Sequence, residues 1–264
     1  MKFKPLIATI TLTSIVSGCS GNVSAICDGL KTHNIFYSER NHKRLLKTKN
    51  CQDCQLNGDQ VDLSNLDLSG ANLSGTELGG ANLSDTKLTN ANLSGVQFYI
   101  LDGGWFGSGI YCTANLKGVD LRGALLYQAR LSFIDLTSFD LSGANFEQAI
   151  LSYTKLASTN LSNVNFNNAS LFHADLSKAN LIGASLFQAD LWNANLKQSN
   201  LEGADLRGAN LEQADLSESL LSNSDLRGAN LLGAKLPDYK KSFSIPPKLN
   251  GAIMPDGTFY REGK

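Results

Sequence analysis

The sequence predicts an all-β solenoid, and two observations predict it. A leucine, in three places a phenylalanine, recurs every fifth residue from Leu63 to Phe98 and again from Leu116 to Leu236, 33 centres in all. Two places before the centre stands Ala in 19 repeats and Ser or Thr in 7 more. A helix cannot use this beat, because five residues rotate the side chain by roughly 500° and would scatter the leucines around the whole surface. A straight strand cannot use it either, since Leu73 and Leu78, five apart, would face opposite ways. The chain must therefore turn a corner once per repeat, winding into a coil whose interior receives one small and one large apolar side chain each time. Ile134 and Phe139, large residues at the small position, are expected to widen the coil locally.

The segments Ala-Asn-Leu-Ser-Gly at 71–75, Ala-Asp-Leu-Arg-Gly at 204–208 and Ala-Asn-Leu-Leu-Gly at 229–233 resemble the pentapeptide-repeat proteins. The resemblance implies a right-handed quadrilateral parallel β-helix, four repeats and 20 residues to the coil. Recurrences at that interval agree with it: Phe146 with Phe166, Phe133 with Tyr153 and His173, Phe172 with Trp192, and Arg207 with Arg227. About eight coils at the strand spacing of ~4.8 Å make a rod roughly 40 Å long.

Taken in order, residues 1–18 read as a secretion signal, with Lys2 and Lys4 before an apolar run, Leu6 to Val16, too short to span a membrane. Val16-Ser17-Gly18-Cys19 resembles the lipobox of bacterial lipoproteins, which implies a lipid on Cys19. Ser20, where sorting rules would need Asp for retention, points to an outer-membrane lipoprotein facing the periplasm or the surface. Cleavage after Ala25 is the alternative and would leave a soluble periplasmic protein.

Residues 19–55 are expected to hold the anchor, a linker and a short N-terminal α-helical cap, with Ser38 capping a helix that runs to about Lys49 and Leu45 and Leu46 covering the first coil. Arg40, Lys43, Arg44 and Lys47 share one stripe of that helix, either a solvated face or a surface for anionic headgroups. Repeats occupy 56–98 and 116–236. Between them, 99–115 reads as an insertion rich in Gly and aromatics, an 18-residue gap from Phe98 to Leu116 that equals three repeats plus three residues. Its Trp105 and Phe106 are candidate binding residues. Residues 237–264 read as a C-terminal cap.

Outside the lipobox, Cys27, Cys51, Cys54 and Cys112 are possible disulfide partners, with three pairings open. A single Cys-x-x-Cys without a second pair or nearby histidines argues against zinc. No cofactor is expected. Nor is catalysis: Asp140, Asp175, Asp190, Asp205, Asp215 and Asp225 all hold the place just before the centre, which Asn otherwise takes, so they belong to the repeat.

Charge separates the remaining functions. Residues 55–236 carry ten Lys or Arg against eighteen Asp or Glu, net −8, whereas 20–54 carry six against three, net +3. An acidic rod suits the best-known activity of the family, mimicry of DNA toward a type II topoisomerase, but an export signal removes the protein from that target. The expected function is therefore a nonenzymatic envelope scaffold that binds a protein or glycan and no nucleic acid, with a homodimer possible through an exposed end coil. The candidate surface is an aromatic stripe of Phe133, Tyr153 and His173 in one column and Phe172 and Trp192 in the next, with Phe187 close by.

Overall fold

The computed structural model describes residues 38–57, 61–101, 111–237 and 245–261. Cys19, Cys27, Trp105 and Phe106 lie outside them. The first element is helix α1, Glu39–Thr48. Ser38 accepts a hydrogen bond from the Asn41 amide at 3.3 Å, Glu39 lies in the first turn, and Lys47 in the last, each charge placed to suit the helix dipole. Lys49, at φ 51°, ends the helix in the left-handed region. Only Leu45 of the expected pair is buried; Leu46 is 52% exposed, because the two point about 100° apart around the helix.

From Asn50 onward the chain is a stack of parallel coils. Each repeat contributes one bridging residue per side: the Leu161 amide donates to Asn180 O at 2.7 Å and the Asn180 amide to Thr159 O at 2.9 Å. At each corner an amide closes a β-turn onto the centre three residues earlier, as Ala184 does onto Leu181 O at 3.0 Å. The third residue of the turn has positive φ at every described corner, from Asp53 to Gly233. A type II turn requires this, and it is why Gly so often follows the centre by two.

The step between stacked partners is 20 residues along most of the rod, as in Asn160↔Asn180. It is 22 at Asn50↔Asn72, 33 at Asn82↔Asn115 and 23 at Asp225↔Lys248. The ladder thus reaches back to Asn50, one repeat before the expected start at residue 56. The 33-residue step corrects the reading of the gap. The Ala114 amide donates to Phe98 O at 2.7 Å, the ordinary corner bond, so Leu116 begins the side next after Phe98. The insertion is one corner drawn out by 13 residues (33 − 20), not three repeats replaced. It leaves as β1, Tyr99–Leu101, and returns as β2, Tyr111–Thr113, antiparallel. The column Asn50, Asn72, Asn92, Leu125, Asn145, Asn165, Ser185, Asp205, Asp225, Lys248 has ten rungs, so the rod is ~43 Å long at the usual strand spacing.

The interior is a single leucine-lined core from Leu45 to Ala252. Phe146 and Phe166 stack inside it with centroids 5.1 Å apart. Among the described residues, bridges 115–135 and 120–140 are missing from an otherwise regular ladder, beside Ile134 and Phe139, whose bulk at the small position holds the walls apart. Threonine at that position satisfies its hydroxyl on the coil below, Thr154 donating to Leu131 O at 2.9 Å. The tail adds half a coil on Leu226 and Leu231 with Leu249 and Ala252 inward, then folds back so that the Tyr260 amide meets Ala252 O at 2.8 Å.

Candidate binding edge

The stripe forms on one corner edge of the rod. Phe133, Tyr153 and His173 occupy the third position of successive turns, with φ 64°, 60° and 55°. Phe133 and Tyr153 stack at 5.1 Å and 4° between planes, and Tyr153 and His173 at 4.9 Å and 10°. Phe172 and Trp192, one position earlier in their turns, stack at 5.0 Å and 10°. The two columns meet edge to face, Phe172 to His173 at 4.4 Å and His173 to Trp192 at 5.1 Å. His173 Nδ1 lies 2.7 Å from Asn193 Nδ2 of the next coil, within hydrogen-bond distance. Phe133 and Tyr153 remain 47% and 45% exposed.

Bulky side chains rarely adopt positive φ, and each does so at a cost of about 1–2 kcal/mol. Three consecutive coils accept that cost with a ring here, where the other described corners use Gly, Asn, Asp, Gln, Glu, Ser or Lys. Ring pairs return about 0.5–1.5 kcal/mol each. The column is therefore close to neutral for folding, and its retention as exposed aromatic surface calls for another reason.

The strand pair β1–β2 and the stripe share one edge of the rod. Gln97 bridges Arg130 and the Phe98 amide donates to Arg130 O, so the corner that this pair extends lies directly beneath the corner of Ser132 and Phe133. Phe187 does not join the stripe. It sits on the neighbouring corner, where the Arg207 guanidinium covers its ring at 5.5 Å. Tyr127, on that same corner, donates to Gln148 instead.

Cys51 and Cys54 are joined by a disulfide. They fill the large and small inward positions of the first coil, and both are buried. Cys112 lies in β2 opposite Ile100. The repeat aspartates are engaged in the ladder: Asp175 accepts from the Ser177 amide at 3.1 Å and Asn195 Nδ2 at 2.9 Å, and Asp190 from the Trp192 amide at 3.2 Å and Asn210 Nδ2 at 2.9 Å. Asp205 and Asp225 are held below the usual carboxylate value, first by side-chain hydrogen bonds from Arg207 and Arg227. Among the described residues no group of three His, Cys, Asp or Glu is placed to hold a metal ion. No helix among them is long and apolar enough to cross a membrane.

The family profile described as Pentapeptide repeats matches eight copies, over residues 59–99 and, in overlapping copies, 114–238. Among solved structures, HetL, a pentapeptide-repeat protein involved in heterocyst differentiation regulation in the cyanobacterium Nostoc sp. strain PCC 7120, is 34% identical over 80% of this chain and 91% of its own, with a TM-score of 0.34. Rfr23 from the cyanobacterium Cyanothece 51142 is 23% identical over 78% of this chain and 98% of its own, with a TM-score of 0.29. QnrB1, a plasmid-mediated fluoroquinolone resistance protein, is 18% identical over 71% of this chain and 89% of its own, with a TM-score of 0.38. No curated protein matches the chain. With the repeat register, the corner turns and the family profile in agreement, the chain belongs to the pentapeptide-repeat family, and its parallel coils of four repeats make a quadrilateral β-helix.

Proposed function

We propose that this protein is a nonenzymatic scaffold of the bacterial envelope, whose rigid rod presents the Phe133–Tyr153–His173 and Phe172–Trp192 columns to a partner. The observation that carries this reading is the run of aromatics held at positive φ over three coils, Phe133 and Tyr153 exposed and His173 half-buried. Their ring faces are largely turned on one another, leaving ring edges outward. A glycan stacks on open ring faces, whereas ring edges, the positive rim of the quadrupole, suit carbonyls and aromatic faces of a protein. The partner is accordingly a protein. The strand pair β1–β2 leaves the rod at the corner directly beneath the stripe.

Export through residues 1–18 and lipid attachment at Cys19 put the rod on the outer membrane, facing periplasm or surface. The buried Cys51–Cys54 bridge supports an oxidising compartment. Labelling with a fatty-acid analogue should mark the protein and fail on Cys19→Ala. Replacing Tyr153, Phe172 and Trp192 with Ser should keep the circular dichroism of the rod while lowering partner capture from membranes at least tenfold; unchanged capture would refute the surface. A reporter enzyme fused to the C-terminus should be active in the periplasm. Cytoplasmic activity would favour topoisomerase-directed mimicry, for which the net charge of −8 over residues 55–236 has the right sign.

A further inference from the structure

The blunt N-terminal end of the rod differs from its walls. Leu45, fully buried, fixes which side of α1 faces the first coil. At ~100° per residue, Lys43 and Lys47 then stand roughly 160° away from Leu45, Arg40 roughly 140° and Arg44 roughly 100°. The pole of the end cap is thus three cations, Arg40, Lys43 and Lys47, all exposed, with Arg44 on one flank, its Nε donating to Asn50 O at 3.0 Å, and the half-exposed Leu46 on the other. Lys43 pairs with Glu39 at 2.5 Å, but both partners are more than two thirds exposed, so the pair is screened and leaves the face positive. Behind this face the walls are acidic, −8 over residues 55–236. Arg122, Arg207 and Arg227 of the walls are each spent on an adjacent aspartate at 2.6–2.7 Å.

We propose that this end is an electrostatic dock for anionic lipid headgroups, which stands the rod upright on the membrane with the aromatic edge presented sideways. The charge distribution selects the occupant. A negatively charged plane attracts the end and repels the walls, so it both binds and orients the rod. A long polyanion such as nucleic acid would have to lie along the acidic walls to gain area. The proposal shares with the function above its placement at a membrane, but depends on neither Cys19 nor the aromatic columns.

The test uses the full chain carrying Cys19→Ser, so that no acyl chain contributes. Binding is measured to vesicles of phosphatidylcholine alone and with about one third phosphatidylglycerol. The parent should bind the anionic vesicles about 30- to 100-fold more tightly than its Arg40→Gln, Lys43→Gln, Lys47→Gln variant, and lose that advantage in about 0.5 M salt. Lys43→Arg with Lys47→Arg should retain binding, and Lys178→Gln on the wall should leave it unchanged. Equal binding by parent and glutamine variant, equal binding to neutral vesicles, or tighter binding to a single-stranded oligonucleotide than to anionic vesicles would each overturn the proposal. Failure of fatty-acid labelling would count against the lipoprotein reading alone.

Discussion

Tyr153 and His173, twenty residues apart, stack with ring centroids 4.9 Å apart and planes 10° from parallel, each at a corner with φ near 60°. The contact joins a backbone cost to a surface gain, and it separates what the rod needs for folding from what it carries on its edge. Tyr153→Asn tests the balance. Asn relieves the left-handed strain of about 1–2 kcal/mol and forfeits three ring contacts, to Phe133, Phe172 and His173, worth about 0.5–1.5 kcal/mol each, so the stability measured by urea unfolding should fall by no more than about 3 kcal/mol. A loss beyond about 3 kcal/mol would make the column part of the folding core.

The interior gives a sharper contrast. Ser219 Oγ is buried with no partner among the described residues, whereas Thr154 Oγ1 donates to Leu131 O. Ser219→Ala should therefore be neutral or stabilise by up to about 1 kcal/mol, while Thr154→Val should cost about 1 kcal/mol. Equal losses in thermal melts would contradict this assignment.

Glycine is not equally needed at every corner. A methyl at Gly118 would run into Asp85 Oδ1 of the coil below, while one at Gly143 would meet nothing within 4 Å. Both have φ near 68°, so Gly143→Ala should cost about 1 kcal/mol and Gly118→Ala at least about 2 kcal/mol by denaturant unfolding. Indistinguishable costs would mean that Asp85 moves aside freely.

Acid should weaken the rod for a stated reason. Asp120, Asp205 and Asp225 are lowered from 3.8, first by side-chain hydrogen bonds from Arg122, Arg207 and Arg227, with desolvation opposing. A carboxyl lowered in the folded state adds stability above its unfolded pKa, and that stability is lost as pH falls through the folded value. Thermal midpoints should drop on acidification below about pH 4, and Asp205→Asn with Asp225→Asn should flatten the drop. An unchanged acid slope in the double variant would remove these pairs from the account.

The architecture was legible because burying Leu186 or Ala184 leaves a fixed spacing in the chain, and because stacked coils repeat Phe172 at Trp192. The corners were less so. Positive φ is met by Gly, Asn, Gln, Ser, Lys and even Tyr153, so no residue type marks the position. The gap from Phe98 to Leu116 divides equally well as three repeats plus three or one repeat plus thirteen, and only the bond from Ala114 to Phe98 decides. For the same reason the shared edge of strand pair and stripe could not be foreseen. The 20-residue register sets Phe187 on the face next to the stripe, and it stands on the neighbouring corner; that Arg207 covers its ring could not be read from spacing alone.

Site-specific photo-crosslinking in intact cells tests the central claim most directly, with a benzophenone amino acid placed at Phe172 on the aromatic edge or at Lys178 on the next corner. The account predicts one discrete protein adduct from position 172, weak or absent from 178, and lost when Tyr153 and Trp192 are changed to Ser. Equal adducts from both positions, or an adduct at 172 that survives those changes, would contradict it.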